Sequence, residues 1–419
     1  MTNGRLKMYY TTELDNGIKI IAEKMENIKS VSVGIWVKSG SRFENHNYHG
    51  LSHFAEHMLF KGTEHRSPRD IANEADDIAA DLNAFTTREY TCLYLKVMDE
   101  YFERGLEIIV DVFLNSIFPE EEVEKERQVI LEEIKMYNDT PEDIVHDLIL
   151  EACYDGQPLS YNVLGDQESI KEIDRDILRD YYKEEFLSRE TVIAVAGNID
   201  PSKACSKIEE YFHKKGKTST LEKTGKKTPE YRVNHKSFYK DIEQVHYCLS
   251  LPGLSYQDDR IYQLSLLNNI LGGSMSSRLF QNIREINGLA YTVYSFPLAF
   301  HDCGVMIIYA GISKENLRQT GELIWENIEH LKGEDESFKI TAKELERAKA
   351  QVKGSIIFGL ESTNSRMIRL GHSMLLKGKV LTPEEVIDKI DNIKLNDLEM
   401  VANELFLPEK LSSSMVGPA

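Results

Sequence analysis

Gly50-Leu51-Ser52-His53-Phe54-Ala55-Glu56-His57-Met58-Leu59-Phe60 is the stretch from which the rest of the chain can be read. Leu51, Phe54, Ala55, Met58 and Leu59 fall at i, i+3, i+4, i+7 and i+8, the stripe of a helix that buries one face. At about 100° per residue, His53 and His57 lie on the opposite side. They are one turn apart, close enough for both imidazoles to hold a single zinc ion. Glu56 stands beside them, where a carboxylate takes a proton from an activated water. Gly62 reads as the stop of this helix.

The order His-x-x-Glu-His inverts the commoner His-Glu-x-x-His and occurs among zinc peptidase signatures. With 12 histidines in 419 residues the pattern arises by chance at a level of roughly a few per cent, so the motif alone is suggestive. Zinc also needs a third protein ligand. Pro119 to Tyr137 reads as a helix, with Pro and acidic residues in its first turn and Lys135 near its end. Glu126 and Glu133 are two turns apart and share a face, whereas Glu132 points about 100° away. On the residues alone, any of these acids is most simply a solvated surface group.

The chain reads as one pattern written twice. Lys214 to Pro229 is polar, rich in Lys, Gly and Thr, and reads as a linker (214–229) between residues 1–213 and 230–419. Before it come a strand at Val31–Val37, the histidine helix, a strand at Thr91–Val97, a helix at Glu103–Leu114 and the glutamate helix. After it come Val245–Leu251, a helix at Ile261–Leu271, Val305–Ala310, and helices at Glu315–Leu331 and Thr341–Phe358. Each half has strands enough for a sheet and helices to cover it, an α+β pattern. Helix Ile261–Leu271 has neither His nor Glu, and aligning Glu126-Arg127 with Glu346-Arg347 sets Lys353 opposite Glu133. A lysine there repels a metal cation, so the first half is the catalytic one and the second its support.

A chain of 419 residues with 41% hydrophobic content can build two sizeable domains. Its net charge of −19 offers no basic stripe for phosphates, which argues against a nucleic-acid partner. No apolar run reaches transmembrane length and no leader pattern opens the chain, so no membrane partner is expected. Cys92, Cys153, Cys205, Cys248 and Cys303 are odd in number, scattered and without Cys-x-x-Cys spacing. Neither a disulfide framework nor a thiolate zinc site is expected, and the cytoplasm is the default compartment.

With these pieces in place, the chain resembles the pitrilysin family of zinc peptidases, or inverzincins, which includes insulin-degrading enzyme and the mitochondrial processing peptidases. That family joins His-x-x-Glu-His to a glutamate about 75 residues on, in a segment like Glu-Arg-x-x-x-x-x-Glu. Here His53-Phe54-Ala55-Glu56-His57 is followed by Glu126-Arg127-Gln128-Val129-Ile130-Leu131-Glu132-Glu133. The resemblance implies one Zn2+ per chain held by His53, His57 and Glu133, with Glu56 as general base and Glu126 orienting a ligand or carrying a proton. Asp81-Leu82-Asn83-Ala84-Phe85-Thr86-Thr87-Arg88-Glu89-Tyr90 looks like the family's substrate-binding edge strand, with Asn83, Ala84 and Phe85 against the peptide. Gly272-Gly273-Ser274-Met275-Ser276-Ser277-Arg278-Leu279-Phe280 and Arg284-Glu285-Ile286-Asn287-Gly288-Leu289-Ala290-Tyr291 resemble its second-domain signature, in which Arg284 and Tyr291 would hold the substrate carbonyl and stabilise the oxyanion. Gln157-Pro158-Leu159-Ser160 departs from the more usual His-Pro-Leu-Gly and touches no expected ligand.

The closest likeness is to the short, bacterial, processing-peptidase-like branch. It implies two homologous domains, each a mostly antiparallel sheet covered by helices, forming half of a clam-shaped particle that encloses short or unfolded peptides. A homodimer is the implied assembly, in which Arg284 and Tyr291 reach the zinc of the other subunit. Two alternatives stand beside the active endopeptidase: a catalytically silent structural subunit, and an enzyme that works only with a homologous partner chain.

Overall fold

Strands Ser30–Val37, Thr191–Gly197 and Gly304–Ile312 are buried at nearly every position, the pattern of strands covered on both faces. The computed structural model describes residues 9–44, 48–213 and 228–418, so linker residues 214–227 lie outside the described residues. In chain order the strands are β1 (Tyr10–Glu13), β2 (Lys19–Lys24), β3 (Ser30–Val37), β4 (Asp81–Thr86), β5 (Thr91–Met98), β6 (Thr191–Gly197), β7 (His235–Tyr239), β8 (Val245–Pro252), β9 (Ala290–Ala299), β10 (Gly304–Ile312) and β11 (Ser412–Gly417). The helices of the first half are α1 (Leu51–Leu59), α2 (Pro68–Asp77), α3 (Phe102–Leu114), α4 (Glu120–Asp139), α5 (Pro141–Cys153), α6 (Gln167–Glu172), α7 (Arg175–Asp180) and α8 (Pro201–Phe212). Those of the second half are α9 (Ile261–Leu271), α10 (Leu317–Glu329), α11 (Ala342–Gly359), α12 (Thr363–Lys377), α13 (Pro383–Asp391) and α14 (Leu395–Leu405).

The strands form two sheets, β1-β2-β6-β3-β5-β4 and β7-β11-β8-β10-β9. In the first, β2 and β6 are parallel and the other neighbours antiparallel; in the second, β7 and β11 are parallel and the rest antiparallel. Set β1 aside and the two sheets share one topology, which gives the internal repeat a structural basis. The fold is α+β with two such sheets, and β4 and β9 are the corresponding edge strands. Among the described residues no helix is long and apolar enough to cross a membrane.

The chain packs as two units, and the boundary is not the single cut at 214–229 that the sequence suggests. The described residues up to Ile134, from 161 to 213, and Gly359–Val380 make one unit; Lys135–Ser160, 228–358 and 381–418 make the other. The physical reason is a reciprocal exchange of helices. In the first unit Val31, Val33, Ile35 and Val37 of β3 pack beneath α1 and α3, while Trp36 on the other face packs against Met367 and Leu370 of α12. Gly34 and Gly371 make that seat possible, since a Cβ on either would lie 2.2 Å from Met367 Sδ or 2.1 Å from Trp36 Nε1. Polar ties finish it: Arg366 pairs with Glu23, and Ser32 Oγ donates to Thr363 Oγ1 at 2.9 Å. In the second unit α5 does the equivalent work, with Val145, Ile149 and Leu150 packing against Ile307, Tyr309 and Val416. At the departure from the family pattern, the Gln157 side-chain amide donates through Nε2 to Glu230 O and accepts at Oε1 from Glu230 N–H (2.8 Å each).

Candidate metal centre

Helix α1 carries the histidines, and its burial matches its periodicity: Leu51, Phe54, Ala55, Met58 and Leu59 are all enclosed. It ends at Leu59 with Phe60 as the cap, earlier than Gly62, because Lys61 N–H already turns back to Met58 O (3.1 Å). Its N-terminus has no hydroxyl cap. Instead the buried carboxyl of Glu44 accepts from Gly50 N–H (2.9 Å) and Ser52 N–H (2.7 Å), giving partners to amide donors at the helix start. Burial raises the Glu44 pKa to about 7 against those donors.

The three expected ligands come together. His53 Nε2 and His57 Nε2 lie 3.2 Å apart, and Glu133 Oε2 lies 3.8 and 3.5 Å from them. The point in their plane equidistant from these atoms is about 2.0 Å from each, the length of a zinc–nitrogen or zinc–oxygen bond. Glu132, by contrast, is exposed on the far side of the turn.

The electrostatics favour a cation at that point. His57 donates Nδ1–H to Glu126 Oε2 (3.1 Å), which leaves its Nε2 bare. Burial, helped by His57, lowers the His53 pKa to about 3, so this imidazole is neutral. Glu133 Oε2 is buried and has no hydrogen-bond partner. A carboxylate oxygen facing imidazole lone pairs is costly without a positive charge between them. Two histidines and one carboxylate are a standard donor set for a catalytic zinc with one open position. Among the described residues this is the one His/Cys/Asp/Glu group that could hold a metal ion.

Glu56 is buried, and burial raises its pKa, opposed by a hydrogen bond from Thr86 Oγ1 (2.5 Å). Thr86 is the last residue of β4, the edge of the first sheet, so this contact ties the carboxylate to the strand's end. Asn83, Ala84 and Phe85 lie on β4 and pair with β5 on one side only. Ala84 faces the core below α1, while the Phe85 ring turns to the opposite face, against Trp36 (5.8 Å) and Tyr94 (6.1 Å).

Glu126 is buried and accepts from both His57 and Lys61. Arg284 and Tyr291 belong to the second unit, where the guanidinium lies 4.9 Å from the centre of the Tyr291 ring and 4.8 Å from that of Phe280. Tyr291 is 77% exposed and therefore free to meet a ligand. In the second copy, Lys353 pairs with Asp391 (2.6 Å), consistent with a position that holds no metal. Thr86, Glu44 and Lys61 are contacts that sequence reasoning missed. Thr86 stood within the quoted edge strand, and Lys61 followed the histidine helix, but nothing in spacing pointed either at a carboxylate.

Residues 19–167 match the family model described as insulinase (peptidase family M16), and residues 172–352 match the peptidase M16 inactive domain. An uncharacterized zinc protease of Bacillus subtilis, YmxG, is 43% identical over 407 residues, covering 96% of this chain and 97% of the relative. An uncharacterized zinc protease of Streptomyces coelicolor is 34% identical over 413 residues, covering 97% and 89%. Among solved structures, a protease from Helicobacter pylori superposes with a TM-score of 0.87 at 21% identity, over 98% of this chain and 99% of that one. A peptidase M16 inactive domain from Pseudomonas fluorescens gives 0.88 at 19% identity, over 98% of each.

Proposed function

Because the chain belongs to peptidase family M16, the insulinase family, we propose that it is a zinc-dependent endopeptidase acting on short or unfolded peptides. The observation that carries this reading is the triangle of His53, His57 and Glu133 with Glu56 one residue from His57.

In this reading an extended peptide adds to the free edge of β4, held by main-chain hydrogen bonds along Asn83, Ala84 and Phe85 that are largely blind to sequence. Phe85 shapes the space for side chains on the far face of the added strand. A zinc ion on His53, His57 and Glu133 supplies Lewis acidity toward water and the scissile carbonyl. Glu56, its pKa raised by burial, takes the proton of the attacking water and returns it to the leaving amine. Glu126 holds His57 in the tautomer whose Nε2 is bare. Arg284 and Tyr291 stabilise the developing oxyanion. Their reach to a zinc on a second copy, a homodimer with an enclosed chamber, and a cytoplasmic location complete the proposal; the first two rest on family likeness and the last on the cysteine pattern.

The test is mass spectrometry of a mixture of unstructured peptides incubated with the purified protein, with a chelator arm and a Glu56→Gln arm. Cleavage removed by both is the expected result, with Glu56→Gln lowering turnover by about 10²–10⁴ while keeping zinc. A protein that binds zinc yet cleaves nothing would instead favour the silent-subunit reading or a missing partner chain.

A further inference from the structure

Glu126 is buried, and each of its oxygens has its own partner. Oε2 accepts from His57 Nδ1 at 3.1 Å, and Oε1 meets Lys61 Nζ at 2.5 Å. A carboxylate held by one oxygen alone can turn about its own axis; held by both, its plane is set. Lys61 is itself well placed to do the holding. Its N–H is bonded to Met58 O (3.1 Å), tying it to the last turn of α1. The loop that follows is pinned to the end of α3: Thr63 Oγ1 donates to Asp111 Oδ2 (2.7 Å), and Glu64 N–H to Asn115 O (2.9 Å). The ammonium thus reaches Glu126 from a fixed base, with 28% of its side chain exposed.

We infer that Lys61 is a positioning residue for the metal centre: it fixes the Glu126 carboxylate, which in turn orients the His57 imidazole. This rests on reading His53, His57 and Glu133 as zinc ligands. Two simpler roles for Lys61 make different forecasts. As a cation at the C-terminal end of α1 it would favour the helix dipole, and its loss would touch stability but not metal affinity. As a bare positive charge near the ion it would repel zinc, and its loss would tighten binding. Only the positioning role weakens binding, and it does so through Glu126 alone.

The experiment is zinc affinity by competition with a chromophoric chelator, on protein whose fold is checked by circular dichroism. The variants are Lys61→Met, Lys61→Gln, Lys61→Arg, Glu126→Gln and the double Lys61→Met/Glu126→Gln. Loss of a group that orients a ligand costs about 10–100-fold in metal affinity. We expect about a tenfold loss for Lys61→Met, the same for Lys61→Gln, and recovery to near wild type for Lys61→Arg. The double variant should bind no more weakly than Glu126→Gln, because Lys61 acts through that carboxylate. Unchanged or tighter binding in both uncharged variants, or a double variant whose loss is the product of the singles, overturns the inference. Two uncharged variants are used so that misfolding of one leaves the result decisive. Failure of the wild-type protein to bind zinc would be a different result, one that sinks the zinc reading itself.

Discussion

Replacing Gly371 by Ala tests how α12 is seated on the first sheet. A Cβ at that position would lie 2.1, 2.4 and 2.5 Å from Nε1, Cε2 and Cδ1 of Trp36, an indole with no exposed surface. Ordinary contact is about 3.5 Å, so helix and ring must part by more than about 1 Å in a region that is covered on all sides. Overpacking of this kind costs about 1–3 kcal/mol, and a wholly buried indole with nowhere to go belongs at the upper end. Alanine returns about 1 kcal/mol through helix propensity, leaving a net loss of about 2 kcal/mol. Gly354→Ala is the control, because the nearest atom to its Cβ is Phe358 Cε2 at 3.7 Å; there the propensity gain stands alone and stability rises by about 1 kcal/mol. Trp36 lies in the first unit and the chain's other tryptophan, Trp325, in the second, so a Trp325→Phe background makes fluorescence report the first unit alone, while the Gly354→Ala control, which lies in the second unit, is followed by far-UV circular dichroism. Urea unfolding followed this way should show the midpoint fall by about 1 M for Gly371→Ala. A Gly371→Ala protein as stable as its parent would refute the close approach of helix and indole.

Three further outcomes follow from the site. Glu44 carries a pKa of about 7 in the folded chain against an ordinary 4.5, so its stabilising contribution is fully present below 4.5 and is lost as pH rises through about 7, roughly 3 kcal/mol in all; Glu44→Gln should remove that slope, and urea titrations across the window that keep it would exclude Glu44 as the source. Thr86→Val deletes a donor to the charged form of Glu56 and so pushes that carboxyl further up; the acid limb of kcat/KM should move to higher pH, and an unmoved limb would separate Glu56 from the rate. Glu133→Gln should weaken zinc binding by more than about 100-fold and Glu132→Gln by little, and a chelator titration giving the reverse order would shift the third ligand.

Much of this molecule was legible in its sequence because the decisive signals are local. The period of Leu51, Phe54, Ala55, Met58 and Leu59 fixes which side of α1 is buried, and so where His53 and His57 point. Helix Ile261–Leu271 and the strands at Val31, Thr91, Val245 and Val305 were likewise readable from runs of apolar residues between turns. What escaped reading depends on partners far away in the chain. The amphipathic pattern of α12 states that it packs on something, but not that the something is Trp36, more than 300 residues earlier. Glycine at 34 and 371 held the clue, as two positions where a Cβ would run into the Trp36 indole, yet only a structure brings them to it. The same holds for Lys61, Thr86 and Glu44, single polar residues whose meaning comes from one contact each.

The exchange of helices has a consequence for how the protein is made. When β6 ends at Gly197, the whole first sheet has been synthesised, but the helix that covers one of its faces is complete only at Lys377. At about 5–20 residues per second, those intervening residues take roughly 10–40 s to emerge. For that interval Ile21, Trp36, Val192 and Ala194 form a bare apolar surface on a growing chain. Such a surface is what holdase chaperones recognise, and Arg366, Met367 and Leu370 arrive on the ribosome as its late-delivered lid.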